Sequence, residues 1–388
     1  MLDTSPSLPA QFSLDSDQLA VRDMARTFAD EVFAPMALGW DEAKHFPVAE
    51  MRKAAALGMG GVFIAEDVGG SGLSRLTATL IFEALATGCP TVAAYMSIHN
   101  MTAWLIDAHG SDEQRKLWLP KLCTMEYLAS YCLTEPSAGS DAAALTTRAV
   151  REGEHYVLNG QKQFISGAGS ADLYVVMART GGDGPSGISA FVVAGDTAGL
   201  SFGASERKMG WNAQPTRAVI FQDARVPAGN LLGREGHGFK IAMAGLDGGR
   251  LNISACSLGG AQKAMEKTLV YMKERKAFGK RLDEFQALQF RLADMATGLE
   301  ASRALLWRAA AALDGNDVNA PQWSAMAKRF VTDTCFDIAN QALQLHGGYG
   351  YLSEYGIEKI VRDLRVHQIL EGSNEIMRLI VARNLVGR

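Results

Sequence analysis

The segment Ile369-Leu370-Glu371-Gly372-Ser373-Asn374-Glu375 sets one carboxylate in a break between an apolar helical stretch and a helix opening at Asn374-Glu375. A carboxyl among apolar neighbours has its pKa raised by desolvation, which suits a general base. The same side chain can instead cap a helix end or join a salt bridge, and the segment alone leaves both open. Three further segments combine hydroxyls, aromatics and glycine. Tyr131-Cys132-Leu133-Thr134-Glu135-Pro136-Ser137-Ala138-Gly139-Ser140-Asp141 is a loop entering β-type sequence. It either brings backbone N–H groups to a planar or anionic ligand or forms a polar turn between domains. Phe164-Ile165-Ser166-Gly167-Ala168-Gly169 ends a strand with an aromatic and a hydroxyl, fit to cover a flat ring or to make an edge strand and turn. In His346-Gly347-Gly348-Tyr349-Gly350-Tyr351 the glycines both end a helix and permit close approach to a cofactor.

Other patterns exclude chemistry. Gly182-Asp183-Gly184-Pro185-Ser186-Gly187 fits G-x-G-x-x-G, but strand-type sequence follows it, so no helix N-terminus is there for a pyrophosphate and a hairpin loop is expected. Gly279-Lys280 precedes Arg281 rather than a hydroxyl, so there is no phosphate loop. H-E-x-x-H and G-x-S-x-G are missing and the seven histidines are dispersed, so no metal is expected. A net charge of -4 offers no field for nucleic acid. Cys89, Cys123, Cys132, Cys256 and Cys335 form no C-x-x-C pair and read as reduced thiols. Met1-Leu2-Asp3-Thr4 carries no secretory or transit pattern. A bacterial cytoplasm is the expected compartment, or a mitochondrial matrix for a processed protein. Ala84 to Ile106 contains no charged residue and reaches the ~20 residues of a membrane span. Gly88, Pro90, Ser97, His99 and Asn100 interrupt it, and a buried core segment is expected.

The elements that position these segments change character along the 388 residues, which exceed one ordinary core. The first third reads as helix: Val21, Met24, Phe28 and Val32 recur at helical spacing, with Asp17 as the cap. From 127 to 236 come short β-type runs at 156–158, 173–177, 188–193 and 218–221, with a hairpin turn expected at Asn159-Gly160. The last third is helical again. Leu288, Leu292, Met295 and Leu299 form one stripe, Asp314-Gly315-Asn316 breaks the helix, and Pro321 opens the next. Further helices are expected over 321–345, 355–368 and 375–386. The fold class is α+β and multidomain.

Taken in order, YCLTEPSAGSD, FISGAG, RKAFG, QLHGGYGY and ILEGSNEIMR resemble the acyl-CoA dehydrogenase family over nearly the whole chain. SIHN at Ser97–Asn100, GGRLNISACSLGG at Gly248–Gly260 and VHQILEGSNEIMR at Val366–Arg378 are similar to the branch acting on isobutyryl-CoA. The resemblance implies an N-terminal helical domain (1–126), a middle β-barrel (127–236) and a C-terminal four-helix bundle (237–388). It also implies FAD between barrel and bundle, and a homotetramer in which a neighbouring subunit completes each flavin site. The implied reaction is α,β-dehydrogenation of isobutyryl-CoA to methacrylyl-CoA in valine breakdown, with electrons passing to an electron-transferring flavoprotein. Another short-chain or 2-methyl-branched acyl group, or a flavin oxidase or monooxygenase on the same fold, is the alternative.

Residue by residue, the resemblance implies that Tyr131, Leu133, Thr134, Gly139 and Ser140 wall the flavin ring, Ser140 also touching the acyl-CoA. Phe164, Ile165 and Ser166 match the strand against the flavin; many relatives carry Trp where Phe164 stands. Arg275, Phe278 and Gln286, with Gln344, Leu345, His346, Gly347 and Gly348, resemble the group that reaches a partner's FAD. Ser373, Asn374 and Glu375 match the turn at its adenosine part, with Ser where many relatives have Thr. Asp247, Gly248, Gly249, Arg250 and Arg383 fall on the substrate side. The resemblance further implies a base at the position of either Glu371 or Gly249; glycine cannot serve, so Glu371 is the expected base. It removes the α-proton while hydride leaves the β-carbon. The thioester oxygen is then stabilised by the Glu371 backbone N–H and a ribityl hydroxyl.

Overall fold

The computed structural model describes residues 14–387, so Met1–Thr4, where no targeting pattern is read, lies outside the described residues. The first helix, α1 (Ser16–Phe28), is capped by Asp15 rather than Asp17. The Asp15 carboxylate accepts the Gln18 N–H at 2.8 Å and the Gln18 side chain returns to the Asp15 N–H at 3.1 Å. This reciprocal box satisfies two free donors, which Asp17, already inside the first turn, cannot do. A single π turn (Ala29–Phe33) carries the chain on to α2 (Ala37–Ala43) and α3 (Val48–Ala55). Of the expected stripe, Phe28 is buried but Met24 faces out; Ala25, Ala29 and Phe33 complete the inner face.

The uncharged stretch 84–106 belongs to two core helices, α4 (Arg75–Gly88) and α5 (Pro90–His109), split where Gly88 and Pro90 break the periodicity. Among the described residues no helix is long and apolar enough to cross a membrane. The α4 N-terminus is held by Ser74, which accepts from Thr77 N–H, and by Asp314, which accepts the N–H groups of Arg75 and Leu76. Next comes α6 (Asp112–Cys123), which has its own Ser111/Gln114 capping box.

The middle strands are β1 (Ala129–Cys132), β2 (Arg148–Glu152), β3 (His155–Ser166), β4 (Leu173–Arg179), β5 (Ile188–Ala194), β6 (Leu200–Phe202), β7 (Thr216–Pro227) and β8 (Leu231–Leu232). They form one sheet in the order β6-β7-β3-β2-β4-β5-β8, with β1 parallel on β4. The end strands β6 and β8 do not pair, so the barrel is an open one. The 182–187 glycine segment is the β4–β5 hairpin connection, as expected.

Asn159-Gly160 is not a turn. It lies inside β3 at a register shift, where Asn159 and Asp223 exchange two hydrogen bonds and Gly160 takes φ 146° against Thr147. Tertiary pairing with β7 overrides the local turn signal; the real β2–β3 reversal is at Gly153-Glu154.

The bundle is α7 (Gly238–Glu274), α8 (Gln286–Asp314), α9 (Ala320–His346), α10 (Ile357–Arg365) and α11 (Asn374–Leu385). A short hairpin of β9 (Lys276–Ala277) and β10 (Lys280–Arg281) follows α7. Helix α7 packs on α4, α5, α8 and α9, and one apolar cluster joins all three parts of the chain. The five cysteines are buried and free.

Candidate active site

Glu371 and Gly372 both have left-handed backbone, φ 55° and 89°, between α10 and α11. This reversal turns the Glu371 carboxylate back onto α7. A Cβ on Gly249 would stand 2.5 Å from Glu371 Oε2 and 2.8 Å from Met101 Sδ. Only glycine at 249 leaves the carboxylate this seat. Oε2 is buried and has no hydrogen-bond partner. Neither a cap nor a salt bridge of the carboxylate is present among the described residues. Burial pushes the Glu371 pKa up to about 7, against the opposing pull of the Lys328 and Arg250 cations. A carboxyl that changes charge near neutrality and faces apolar and sulfur atoms is equipped to accept a proton from carbon.

The turn is braced from two helices, α7 and α9. Arg250 Nε donates to the Glu371 carbonyl at 3.4 Å, while its Nη1 pairs with Asp247 at 2.6 Å. Lys328 on α9 donates to the Gly372 carbonyl and to Asn374 Oδ1, both at 2.8 Å. The Asn374 amide also donates to Thr332 and Asp333, so its side chain is committed to α9. Upstream, His367 is neutral and fully buried, its pKa lowered to about 3 by burial. Trp211 Nε1 donates to His367 Nε2 at 3.2 Å, which leaves Nδ1 to donate to Ser257 Oγ at 2.7 Å. Asp363 accepts from Trp211 N, Thr91 and Lys359. The barrel loop at 211, helix α7 and the segment leading into Glu371 are thus tied together.

The structure brings the Leu133–Ser140 loop and the end of β3 side by side. Gln163 N–H donates to the Thr134 carbonyl at 2.8 Å, and Ser130 Oγ to the Ser166 carbonyl at 2.6 Å. Phe164 sits in a second β3 bulge with φ 60°, which re-aims its ring outward, 63% exposed, while Ile165 is buried. Gly139 and Ser140 are exposed at the loop tip. Tyr131 lies between these segments and Glu371: burial and the nearby Glu371 charge push its phenol pKa up, and its Oη donates to the Ala242 carbonyl at 3.4 Å.

A separate pocket lies at the far end of α7. Arg275, Arg291, Gln344, Leu345, His346, Gly347 and Gly348 line it with Tyr271 and Tyr349. His346 stacks on Tyr271 with ring centroids 4.4 Å apart. Gly347 has φ 60°, and nothing lies within 4 Å of a Cβ placed on it or on Gly348. Two guanidiniums beside open glycine backbone suit a pyrophosphate. Phe278, 95% exposed on the β9–β10 turn, and Gln286 at the start of α8 stand outside its lining. Arg383 is exposed on the last turn of α11.

A bovine (Bos taurus) protein named isobutyryl-CoA dehydrogenase, mitochondrial, is 57% identical to this chain over 373 residues, 96% of this chain and 90% of the relative. This chain belongs to the acyl-CoA dehydrogenase family. The family's N-terminal domain matches residues 15–126, its middle domain 130–224 and its C-terminal domain 236–386. The structure of butyryl-CoA dehydrogenase from Megasphaera elsdenii superposes with TM-score 0.94 at 36% identity, covering 97% of this chain and 99% of that one. A chain solved in work on the electron transferring flavoprotein of Acidaminococcus fermentans gives 0.94 at 39%, covering 97% and 100%. As an acyl-CoA dehydrogenase, the chain is an FAD-dependent oxidoreductase acting on CH–CH bonds. The exposed Phe164 ring and the open Arg275–Gly348 pocket fit a flat ring and a diphosphate.

Lys328, Met101 and His367 were not among the expected site residues. Each is an unremarkable residue in a helical stretch, and only the packing of α5, α9 and the turn after α10 around α7 brings it near Glu371. Arg75 also went unread. Its guanidinium is buried over the Phe63 and Trp104 rings at 3.7 and 4.7 Å, beside Gly248.

Proposed function

We propose that this acyl-CoA dehydrogenase oxidises isobutyryl-CoA to methacrylyl-CoA, with Glu371 as the base. The observation that carries this reading is the unpartnered, buried Glu371 Oε2, poised to change charge near pH 7 and seated against Gly249 on the substrate-side helix. The name of the bovine relative supports the acyl group.

Glu371 takes the α-proton. The negative charge moving onto the thioester oxygen needs a donor that is already in place. In this reading the Glu371 backbone N–H supplies it, with the strained turn held by Arg250 and Lys328. Leu133–Ser140 and Phe164–Ser166 form the ring wall, and Tyr131 keeps water from the base. Arg275, with Gln344–Gly348, holds the diphosphate side of a neighbouring subunit's cofactor in a homotetramer. FAD held between these segments would supply the hydride acceptor for the β-carbon. Units 1–126, 127–236 and 237–388 supply these parts. An electron-transferring flavoprotein is the acceptor, in line with the setting of the Acidaminococcus relative. A bacterial cytoplasm, or a mitochondrial matrix, is the compartment; the bovine relative's name gives mitochondrial.

Anaerobic addition of isobutyryl-CoA should bleach the flavin absorbance. Isobutyryl-, 2-methylbutyryl- and butyryl-CoA assayed side by side should rank in that order. One methylene is worth about 1–3 kcal/mol, so the steps should be about 10- to 200-fold. Equal or faster turnover of butyryl-CoA would overturn the branched-chain assignment.

A further inference from the structure

One buried ion pair in the barrel has no part in the chemistry above. Lys162 on β3 and Glu135 in the Leu133–Ser140 loop are almost wholly enclosed, with side chains 0% and 1% exposed and Nζ to Oε1 at 2.7 Å. Lys162 makes a second bond, to the Leu133 carbonyl at 3.1 Å. Glu135 accepts the N–H groups of Thr146 and Thr147 at 2.6 and 2.9 Å and the Thr146 hydroxyl at 2.9 Å. Its own backbone closes a tight turn through two bonds with Ala138.

A buried pair of this kind is weak evidence for stability, since apolar residues of similar volume often do as well. What it does supply here is geometry. Lys162 points into the barrel two residues before Phe164, whose ring the bulge turns outward. The cation therefore ties the carbonyl of one wall segment to the strand that carries the other. The neighbouring Thr134 carbonyl is held by Gln163 N–H on the same strand.

We propose that Lys162 and Glu135 are positioning residues for FAD: they fix the backbone of Leu133–Ala138 against Phe164–Ser166, so that both walls of the ring site are in register before the cofactor arrives. This rests on the reading that those two segments flank the flavin. Side chains that hold a ligand-contacting group in place are a general requirement of precise sites.

The test compares two neutral double variants of the full-length protein. K162M/E135Q removes the charge and the donor to Leu133; K162Q/E135Q removes the charge but keeps an amide N–H donor facing Leu133, on a side chain one bond shorter. Both should unfold within a few degrees of each other. FAD titrated into the apoproteins should bind K162M/E135Q about 10- to 100-fold more weakly than K162Q/E135Q, the scale of losing a group that orients a contacting one. The visible flavin band should also change shape in the methionine variant. Equal affinity and identical bands in the two variants would overturn the proposal while leaving the enzyme's assignment intact. A wild-type protein that takes up no FAD would sink the flavin reading itself, and this proposal with it. A measurement on the wild type covers the case of variants that do not fold. The N–H groups of Gln163, Thr146 and Thr147 should be protected from hydrogen exchange already in the apoprotein. Protection that appears only with FAD would refute preorganisation.

Discussion

Replacing Glu371 by Gln tests the base and the energetics of its seat together. Burial lifts the carboxyl from 4.5 to about 7 because the ionised form loses water and gains no hydrogen bond at Oε2. The folded-state pKa is thus raised above the unfolded one. The contribution to stability is intact below about pH 4.5 and is lost as pH rises through 7. At about 1.4 kcal/mol for each tenfold in proton affinity, the ionised carboxylate destabilises the apoprotein by about 3 kcal/mol once the pH is well above 7. Gln has the same shape and no charge. The variant should therefore match the wild type at about pH 4 and exceed it by about 3 kcal/mol at about pH 8.5.

Urea unfolding of both apoproteins at one protein concentration measures the gap. Other titrating groups, the neutral His367 among them, cancel in the difference. The same variant should keep its yellow FAD and lose turnover by at least the roughly 10²- to 10⁴-fold that proton transfer contributes. A stability gap that does not change with pH would refute the desolvated seat, and retained turnover would refute the base.

Removing the cation that opposes burial should push the same group further. In Lys328→Met, Glu371 should ionise at a higher pH, and the rising limb of kcat/KM against pH should move up from about 7. Gly249→Leu places side-chain atoms where Glu371 Oε2 and Met101 Sδ now lie. Steady-state assays should show turnover down by about 100-fold, the scale of misplacing a reacting group by about 1 Å, with FAD still bound. Arg275→Ala removes a bidentate donor from the distal pocket. FAD titration should show affinity reduced about tenfold or more, as for a lost charge-assisted hydrogen bond.

The helices were legible because their signals are local. Apolar spacing with Pro321 and Asp314-Gly315 fixes α8 and α9 to within a residue or two. The strands were only partly legible: β2, 55% exposed at Val150 and charged at Arg148, Arg151 and Glu152, carries little apolar alternation. At Asn159-Gly160 a strong local signal lost to pairing with β7. The SIHN motif was read for its likeness to a family branch, and its physical work is structural. His99 Nδ1 accepts from Ala129 N–H and leaves Nε2 to donate to the Leu122 carbonyl. Asn100 accepts from Val62 N–H and donates to the Met59 and Met96 carbonyls. His99 fastens α5 to the start of β1 and to the end of α6, Asn100 fastens it to the 59–62 segment, and together they position Met101 beside Glu371.

What no local pattern carries is the electrostatics of Glu371, because its causes lie far apart in the chain. Met101, Gly249 and Lys328 come from three helices, and each acts on the carboxylate differently: a sulfur wall, an absent side chain, an opposing charge. The E-G pair itself explains how they meet. A left-handed Glu costs roughly 1–2 kcal/mol relative to ordinary backbone. Gly372 must also be left-handed, and a Cβ there would stand 2.6 Å from Met377 Cε. Two consecutive left-handed residues reverse the chain within one step, swinging the carboxylate toward α7 and away from the solvent-facing end of α10. The strain is offset by Arg250 on the carbonyl of 371 and Lys328 on the carbonyl of 372, the same two cations that keep the acid from rising further. Burial raises the proton affinity, and the same pair of side chains both holds the conformation of the turn and limits that rise, so a change to either should move both.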